Sequence, residues 1–239
     1  PRAVRSYSFM KRTISLGVLI LAVSVGGGRQ SASAAEDYWS GWLGPERNGW
    51  VKDFQPPKKW PAKLNKVWQV KVGAGYGSPL VAKGRVWQHA REGGDEVIWC
   101  MDLATGKVKW RKSYAAPFKI GGGADKHGKG PKSSPVYANG RVFVMSITGT
   151  LSAWDAETGK YLWKSELQKG FSPPHPYWGS STSPIVDDNR VIAHFGNDKT
   201  GVLAALDVAS GKIVWTQGKD GTCYSSPLLV NHLGTRQII

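Results

Sequence analysis

Two stretches of the 239-residue sequence hold side chains that could do chemistry. Between Ala115 and Lys132 lie Lys119, Lys126, His127, Lys129 and Lys132, with Asp125 as the single acid and a Gly121-Gly122-Gly123 run among them. Clustered positive charge on mobile glycine suits an anionic ligand or the acidic patch of a partner; the same composition also describes a solvated basic loop. The Gly run is not a phosphate loop, because it lacks the Gly-Lys-Ser/Thr ending and no helix follows it. Between Gln168 and Ser181, the segment Pro173-Pro174-His175-Pro176-Tyr177-Trp178 is rigid and aromatic, either a stacking or peptide-docking surface or a stiff cap on a channel. Tyr224 offers a further stacking group. His127 and His175 have no second His or Cys at ligand spacing, so no metal site and no catalytic residue is assigned. Cys100 and Cys223 are too few for a disulfide framework and fall in a predicted strand and a predicted loop, far apart; in an exported protein either could still pair with a cysteine outside this sequence.

What must position these loops is a repeat. Asp102 to Trp110 (DLATGKVKW), Asp155 to Trp163 (DAETGKYLW) and Asp207 to Trp215 (DVASGKIVW) share Asp, Ser/Thr, Gly, Lys and Trp at fixed offsets, with the tryptophans 53 and 52 residues apart. Before each comes a Ser-Pro step, at Ser78-Pro79, Ser134-Pro135 and Ser183-Pro184, with a fourth at Ser226-Pro227. The first three run into Lys83-Gly84, Asn139-Gly140 and Asp188-Asn189, each followed by Arg-Val; such pairs supply the positive φ of a tight hairpin. One repeat is therefore four short antiparallel strands. The first opens at proline, where no ladder bond is yet needed, and Asp-x-x-Thr-Gly turns the third strand into the fourth.

Sheets of this kind cannot bury both faces alone, and a period near 50 residues predicts an all-β fold, a β-propeller of four-stranded blades, in which neighbouring blades cover those faces. Asp102, Gly106, Trp110, Asp155, Gly159, Trp163, Asp207, Gly211 and Trp215 are accordingly read as turn and docking residues. Lys66 to Val72, with Trp68, is read as a lone fourth strand. Three full repeats, that strand and a fourth repeat ending inside its second strand do not close a ring of about four to eight blades, so the chain is expected to be the N-terminal part of a longer protein. Strand alternation puts every longer loop, including Arg91 to Asp95, Gly196 to Thr200 and the two stretches above, on one face, where a repeat array binds.

The 32 Lys and Arg exceed the 17 Asp and Glu by 15, but five of the bases precede Ala35, leaving +10 beyond it. Lys11-Arg12, the apolar run Ile14 to Val25 and Ala32-Ser33-Ala34 read as a secretory signal peptide, with the residues before Met10 an upstream extension. The expected division is 1–34 extension and signal, 35–65 an aromatic, Gly- and Pro-containing leader, and 66–239 an incomplete propeller. A periplasmic or extracellular protein follows, with no transmembrane span after cleavage and no nucleic-acid partner.

From Trp68 onward the sequence resembles the pyrroloquinoline quinone (PQQ)-like propeller repeat family, and Trp39 to Trp50 resembles the leader of its exported bacterial members. The resemblance implies the fold more closely than the function, since the family includes quinone-dependent dehydrogenases, an outer-membrane assembly factor that binds proteins, and many members of unassigned role. The dehydrogenases commonly carry two adjacent cysteines beside the cofactor, and here there are none; their calcium ligands and catalytic carboxylate have no recognisable counterpart. The expectation is a non-catalytic binding or assembly scaffold, without a cofactor, holding a protein or polysaccharide partner on the long-loop face. The alternative is a PQQ-dependent alcohol or sugar dehydrogenase with PQQ and Ca²⁺. A third reading, a carbohydrate-binding propeller, rests on Tyr177, Trp178 and Tyr224 as stacking groups.

Overall fold

Apolar runs of three to eight residues separated by Gly, Asn and Asp resolve into strands over the described residues, 39–52, 54–123 and 125–239 of a computed structural model. The export signal expected at 1–34 lies outside them. The first blade comprises β1 (Leu80–Ala82), β2 (Arg85–Glu92), β3 (Asp95–Asp102) and β4 (Val108–Ala115). The second comprises β5 (Val136–Ala138), β6 (Arg141–Met145), β7 (Leu151–Asp155) and β8 (Tyr161–Ser165). The third comprises β9 (Ile185–Asp187), β10 (Arg190–Gly196), β11 (Gly201–Asp207) and β12 (Ile213–Gln217), and a hairpin of β13 (Leu229–His232) and β14 (Thr235–Ile238) follows. Each four-stranded sheet is an antiparallel meander in chain order, as a propeller blade is.

The core lies between blades. Along β6, Val142 and Val144 face the first blade while Phe143 and Met145 face the third; along β7, Trp154 and Leu151 divide in the same way. A strand buried on both sides has no polar face, which is why these segments read as continuous apolar runs.

At each Asp turn the carboxylate holds two donors. Asp155 Oδ1 accepts from the Thr158 amide at 2.8 Å and its hydroxyl at 2.6 Å, and Asp102 and Asp207 do the same with Thr105 and Ser210. The preceding tryptophan then docks on that turn. Trp110 Nε1 donates to Ala156 O at 3.1 Å and Trp163 Nε1 to Val208 O at 3.0 Å, in each case the carbonyl one residue past the Asp. The indole lies flat on the turn glycine: a Cβ at Gly159 would sit 2.7 Å from the Trp110 ring.

A second link runs along the inner strands. Ser78 N donates to Ser134 Oγ at 2.9 Å, Ser134 N to Ser183 Oγ at 2.9 Å, and Ser183 N to Ser226 Oγ at 2.8 Å, so the serine before each proline takes the amide of its counterpart one blade back. The leader crosses these same strands: Trp39 pairs with Val81, Ser40 O accepts from Tyr137 N, and Arg47 reaches the carbonyls of Ser183 and Pro184.

One expectation is corrected. Lys66 to Val72 is extended but not a strand, because no neighbour pairs with it among the described residues. Its Trp68 nevertheless docks as the others do, with Nε1 2.9 Å from Leu103 O and the ring over Gly106.

Both Gly140 and Gly159 hold positive φ, 71° and 67°, but a Cβ at Gly140 meets nothing within 4 Å. Gly140→Ala is therefore expected to lose about 1 kcal/mol and Gly159→Ala about 2–4 kcal/mol in urea melts of the whole chain. Equal losses would show that the indole does not bear on the turn.

Candidate functional site

The long loops are tied down at their roots. Arg91, at the end of β2, is buried and gives Nε to Lys129 O at 2.7 Å, Nη1 to Gly94 O at 2.8 Å and Nη2 to Ala116 O at 2.5 Å. One guanidinium thus clamps both ends of the Ala115 to Lys132 loop. The loop from Gln168 to Ser181 is held by Asn197 Nδ2 on Pro173 O at 2.8 Å and by Ser180 N on Ile147 O at 2.9 Å.

These anchors bring the two loops into contact. Tyr177 lays its ring on Gly121, where a Cβ would lie 2.4 Å from Cε2, and donates its hydroxyl to Gly122 O. The Gly run expected to be mobile is therefore a seat for an aromatic ring; it needs glycine because any side chain at Gly121 would displace Tyr177. His127 meets Trp178 edge-on at 5.2 Å, Trp178 meets Tyr177 at 5.4 Å, and His175 packs on Phe118 at 4.9 Å. Asp198, on the loop between β10 and β11, joins the third blade to this group: Oδ2 accepts Tyr177 N at 2.7 Å and Oδ1 accepts the Tyr224 hydroxyl at 2.9 Å. Burial, reinforced by that carboxylate, pushes the Tyr224 phenol up to about 12.

His127, His175, Tyr177, Trp178 and Tyr224 are thus parts of one patch. Within it a depression of about 390 Å³ is lined by Tyr76, His127, Lys132 and Trp178. Lys132 Nζ stands 4.8 Å from the Tyr76 ring centre, and burial lowers its pKa. Cations against aromatic faces, partly desolvated, suit an acidic or aromatic group of a partner. Lys119 and Lys129 stand apart, exposed beside a separate concavity with Arg91 and Phe118. The hydroxyls of Tyr177 and Tyr224 are already bound within the protein, which leaves their ring faces as what they offer.

A buried ionisable group escaped sequence reading. His89 on β2 and Glu96 on β3 are fully buried, with His89 Nε2 3.2 Å from Glu96 Oε2 and 2.9 Å from the Tyr114 hydroxyl. Tyr114 donates to Glu96 Oε2 at 2.7 Å, and Glu96 Oε1 accepts Ile147 N of the second blade at 2.9 Å. His89 Nδ1 has no partner, which places the imidazole hydrogen on Nε2 by the logic of the network. Burial alone would raise the Glu96 pKa, but His89, the Ile147 amide and the Tyr114 hydroxyl outweigh it and hold the carboxyl below its usual 4.5. His89 is part of this network. A Glu just before the apolar run Val97 to Met101, with a His on the adjacent strand two positions off register, was the available signal.

Cys100 is buried, with its thiol pushed up to about 11 by that burial, and Cys223 is exposed; both are free thiols. Among the described residues no three His, Cys, Asp or Glu side chains converge on one point.

A family model described as outer membrane protein assembly factor BamB, of the PQQ-like repeat type, matches residues 94–233. The chain belongs to the PQQ-like repeat family. It is 28% identical over 155 residues to the outer membrane protein assembly factor BamB of Salmonella typhimurium, covering 62% of this chain and 36% of that protein. It is 30% identical over 150 residues to the dehydrogenase subunit of a quinone alcohol dehydrogenase of Gluconacetobacter polyoxogenes, covering 58% and 19%. With a polyvinylalcohol dehydrogenase of a Pseudomonas species it shares 29% over 217 residues, covering 83% and 31%. The chain spans about a third or less of the length of these relatives. A europium-containing methanol dehydrogenase structure aligns at TM-score 0.43 and 23% identity over 61% of this chain and 25% of that one.

A carboxylate held below its unfolded value stabilises the fold above that value, and the contribution disappears as pH falls through the folded pKa. Glu96→Gln is expected to cost about 1–3 kcal/mol at neutral pH and to flatten the acid limb of the stability curve below about pH 4.5. Thermal melts of both proteins between neutral and acid pH test this; parallel curves would mean that Glu96 does not carry the acid sensitivity.

Proposed function

We propose that this family member is an exported binding propeller that holds a protein partner on its long-loop face. The observation that carries the proposal is the patch of His127, Tyr177, Trp178 and Tyr224, built by loops of three blades and locked before any partner arrives. Aromatic side chains with neighbouring cations, already ordered, are what the centre of a protein interface is made of, and preordering removes the entropic cost of fixing them on binding. The BamB relatives, named as assembly factors of outer-membrane proteins, support the partner class, and none of the described helices is long and apolar enough to cross a membrane.

A second reading is favoured by the alignment to polyvinylalcohol dehydrogenase, which covers 83% of the chain. In that case the propeller would serve a PQQ-dependent oxidation of an alcohol, with the cofactor and calcium held by residues beyond those described.

Two measurements on the complete protein separate the readings. Under the scaffold reading, Trp178→Ala weakens binding to the outer-membrane assembly machinery by about 2 kcal/mol or more, as truncation of a central interface aromatic does, with the melting curve unchanged. Quinone absorbance and dye-linked alcohol oxidation after loading with PQQ and Ca²⁺ would instead establish the dehydrogenase reading and overturn the first.

A further inference from the structure

Between the first and second blades, beside the aromatic patch, a cleft of about 700 Å³ opens. Its exposed ring is Tyr161, 46% exposed, which meets the buried Trp154 edge-on at 5.4 Å, and Tyr114 lies against the same indole with ring centres 5.8 Å apart. The second blade adds hydroxyls beside Trp154. Ser146 and Thr148 bring their hydroxyls 2.9 Å apart, and Thr150 Oγ1 accepts Gln168 Nε2 at 2.7 Å.

Gln168 is only 4% exposed, yet its Oε1 has no partner among the described residues. An unpaired buried amide oxygen is a standing penalty that a donor from outside relieves. Turning the amide over would leave its NH₂ end unpaired instead, and a hydroxyl, which both donates and accepts, satisfies either orientation. The charged groups at the mouth are engaged with one another: Glu166 Oε1 takes Lys164 Nζ at 3.0 Å and Lys169 Nζ at 2.9 Å. Neither lysine is left unpaired for a phosphate or a carboxylate.

The exposed Tyr161 ring for apolar C–H surfaces, a row of hydroxyl and amide groups for O–H groups, and no lining charge left unpaired together describe the complement of a neutral sugar. The cleft volume lies within the range of about 300–1,000 Å³ usual for small-molecule sites. The geometry points to this cleft as a binding site for a short neutral oligosaccharide, separate from the protein-docking patch and independent of it.

Titrating the whole chain with cellotriose, maltotriose and chitotriose, followed by tryptophan fluorescence and calorimetry, tests the assignment. At least one sugar should bind saturably with a Kd of about 1 mM or tighter, and inorganic phosphate should not compete. Tyr161→Ala, an exposed position whose loss leaves the core intact, and Gln168→Ala should each weaken that sugar tenfold or more. Absence of saturation by all three sugars at about ten times that concentration overturns the proposal, as does binding that both cleft variants leave intact or that phosphate displaces.

Discussion

Every blade in this protein depends on how a tryptophan meets the turn of its neighbour. A β-meander has two apolar faces and no means of covering either, so the angle at which the next sheet arrives decides whether a core forms at all. The indole fixes that angle twice. Its N–H reaches the carbonyl one residue past the Asp, and its face rests on a glycine that tolerates both the left-handed φ and the close approach. The Asp carboxylate, by binding the Thr or Ser amide and hydroxyl, keeps that carbonyl and that glycine where the indole needs them. Removing the Asp, the Gly or the Trp would loosen the same joint, which is why they recur together.

The serine belt on the inner strands complements this joint. The tryptophans join blades at their outer edges, whereas Ser134, Ser183 and Ser226 join them at the inner ones, and two separated attachments resist rotation where one would act as a hinge. With the blades fixed at both radii, loops leaving the same end of neighbouring blades arrive in reproducible positions. That is what allows Tyr177 of one loop to find Gly121 of another and Asp198 of a third.

What the sequence reveals follows from the range of the interactions. The turns are local, made by residues within four positions of one another, so the Asp-x-x-Thr-Gly step and the Lys83-Gly84 and Asn139-Gly140 hairpins can be read directly. The blade repeat is legible because Trp110 and Trp163 carry the same partner set at the same spacing. The serine belt is half legible: the Ser-Pro step repeats visibly, but proline explains itself as a strand opener and conceals that its serine accepts a bond from about fifty residues away. The aromatic patch was legible in composition and not in assembly. Nothing local to Gly121 announces that it seats Tyr177, and Asp198 reads as an ordinary turn residue until two loops deliver a backbone amide and a phenol to it. Lys66 to Val72 fails differently, since its composition is that of a strand while pairing requires a neighbour.

The Glu96 network connects these levels. Its carboxylate is buried in the first blade, yet one oxygen is held by the Ile147 amide of the second, at the turn between β6 and β7. Ile147 O in turn accepts Ser180 N, and its side chain occupies the space that any residue other than glycine at Gly179 would need. Two steps therefore lead from the buried acid to the residue beside Trp178. The other carboxylate oxygen takes the hydroxyl of Tyr114, whose ring lines the cleft between the blades. A buried carboxylate is weak support for stability in itself, because desolvation offsets most of what its hydrogen bonds return. It supplies direction instead: only an acceptor at that point orients both the Ile147 turn and the Tyr114 ring. One carboxylate thus holds a turn that leads toward the aromatic patch and a ring that lines the cleft.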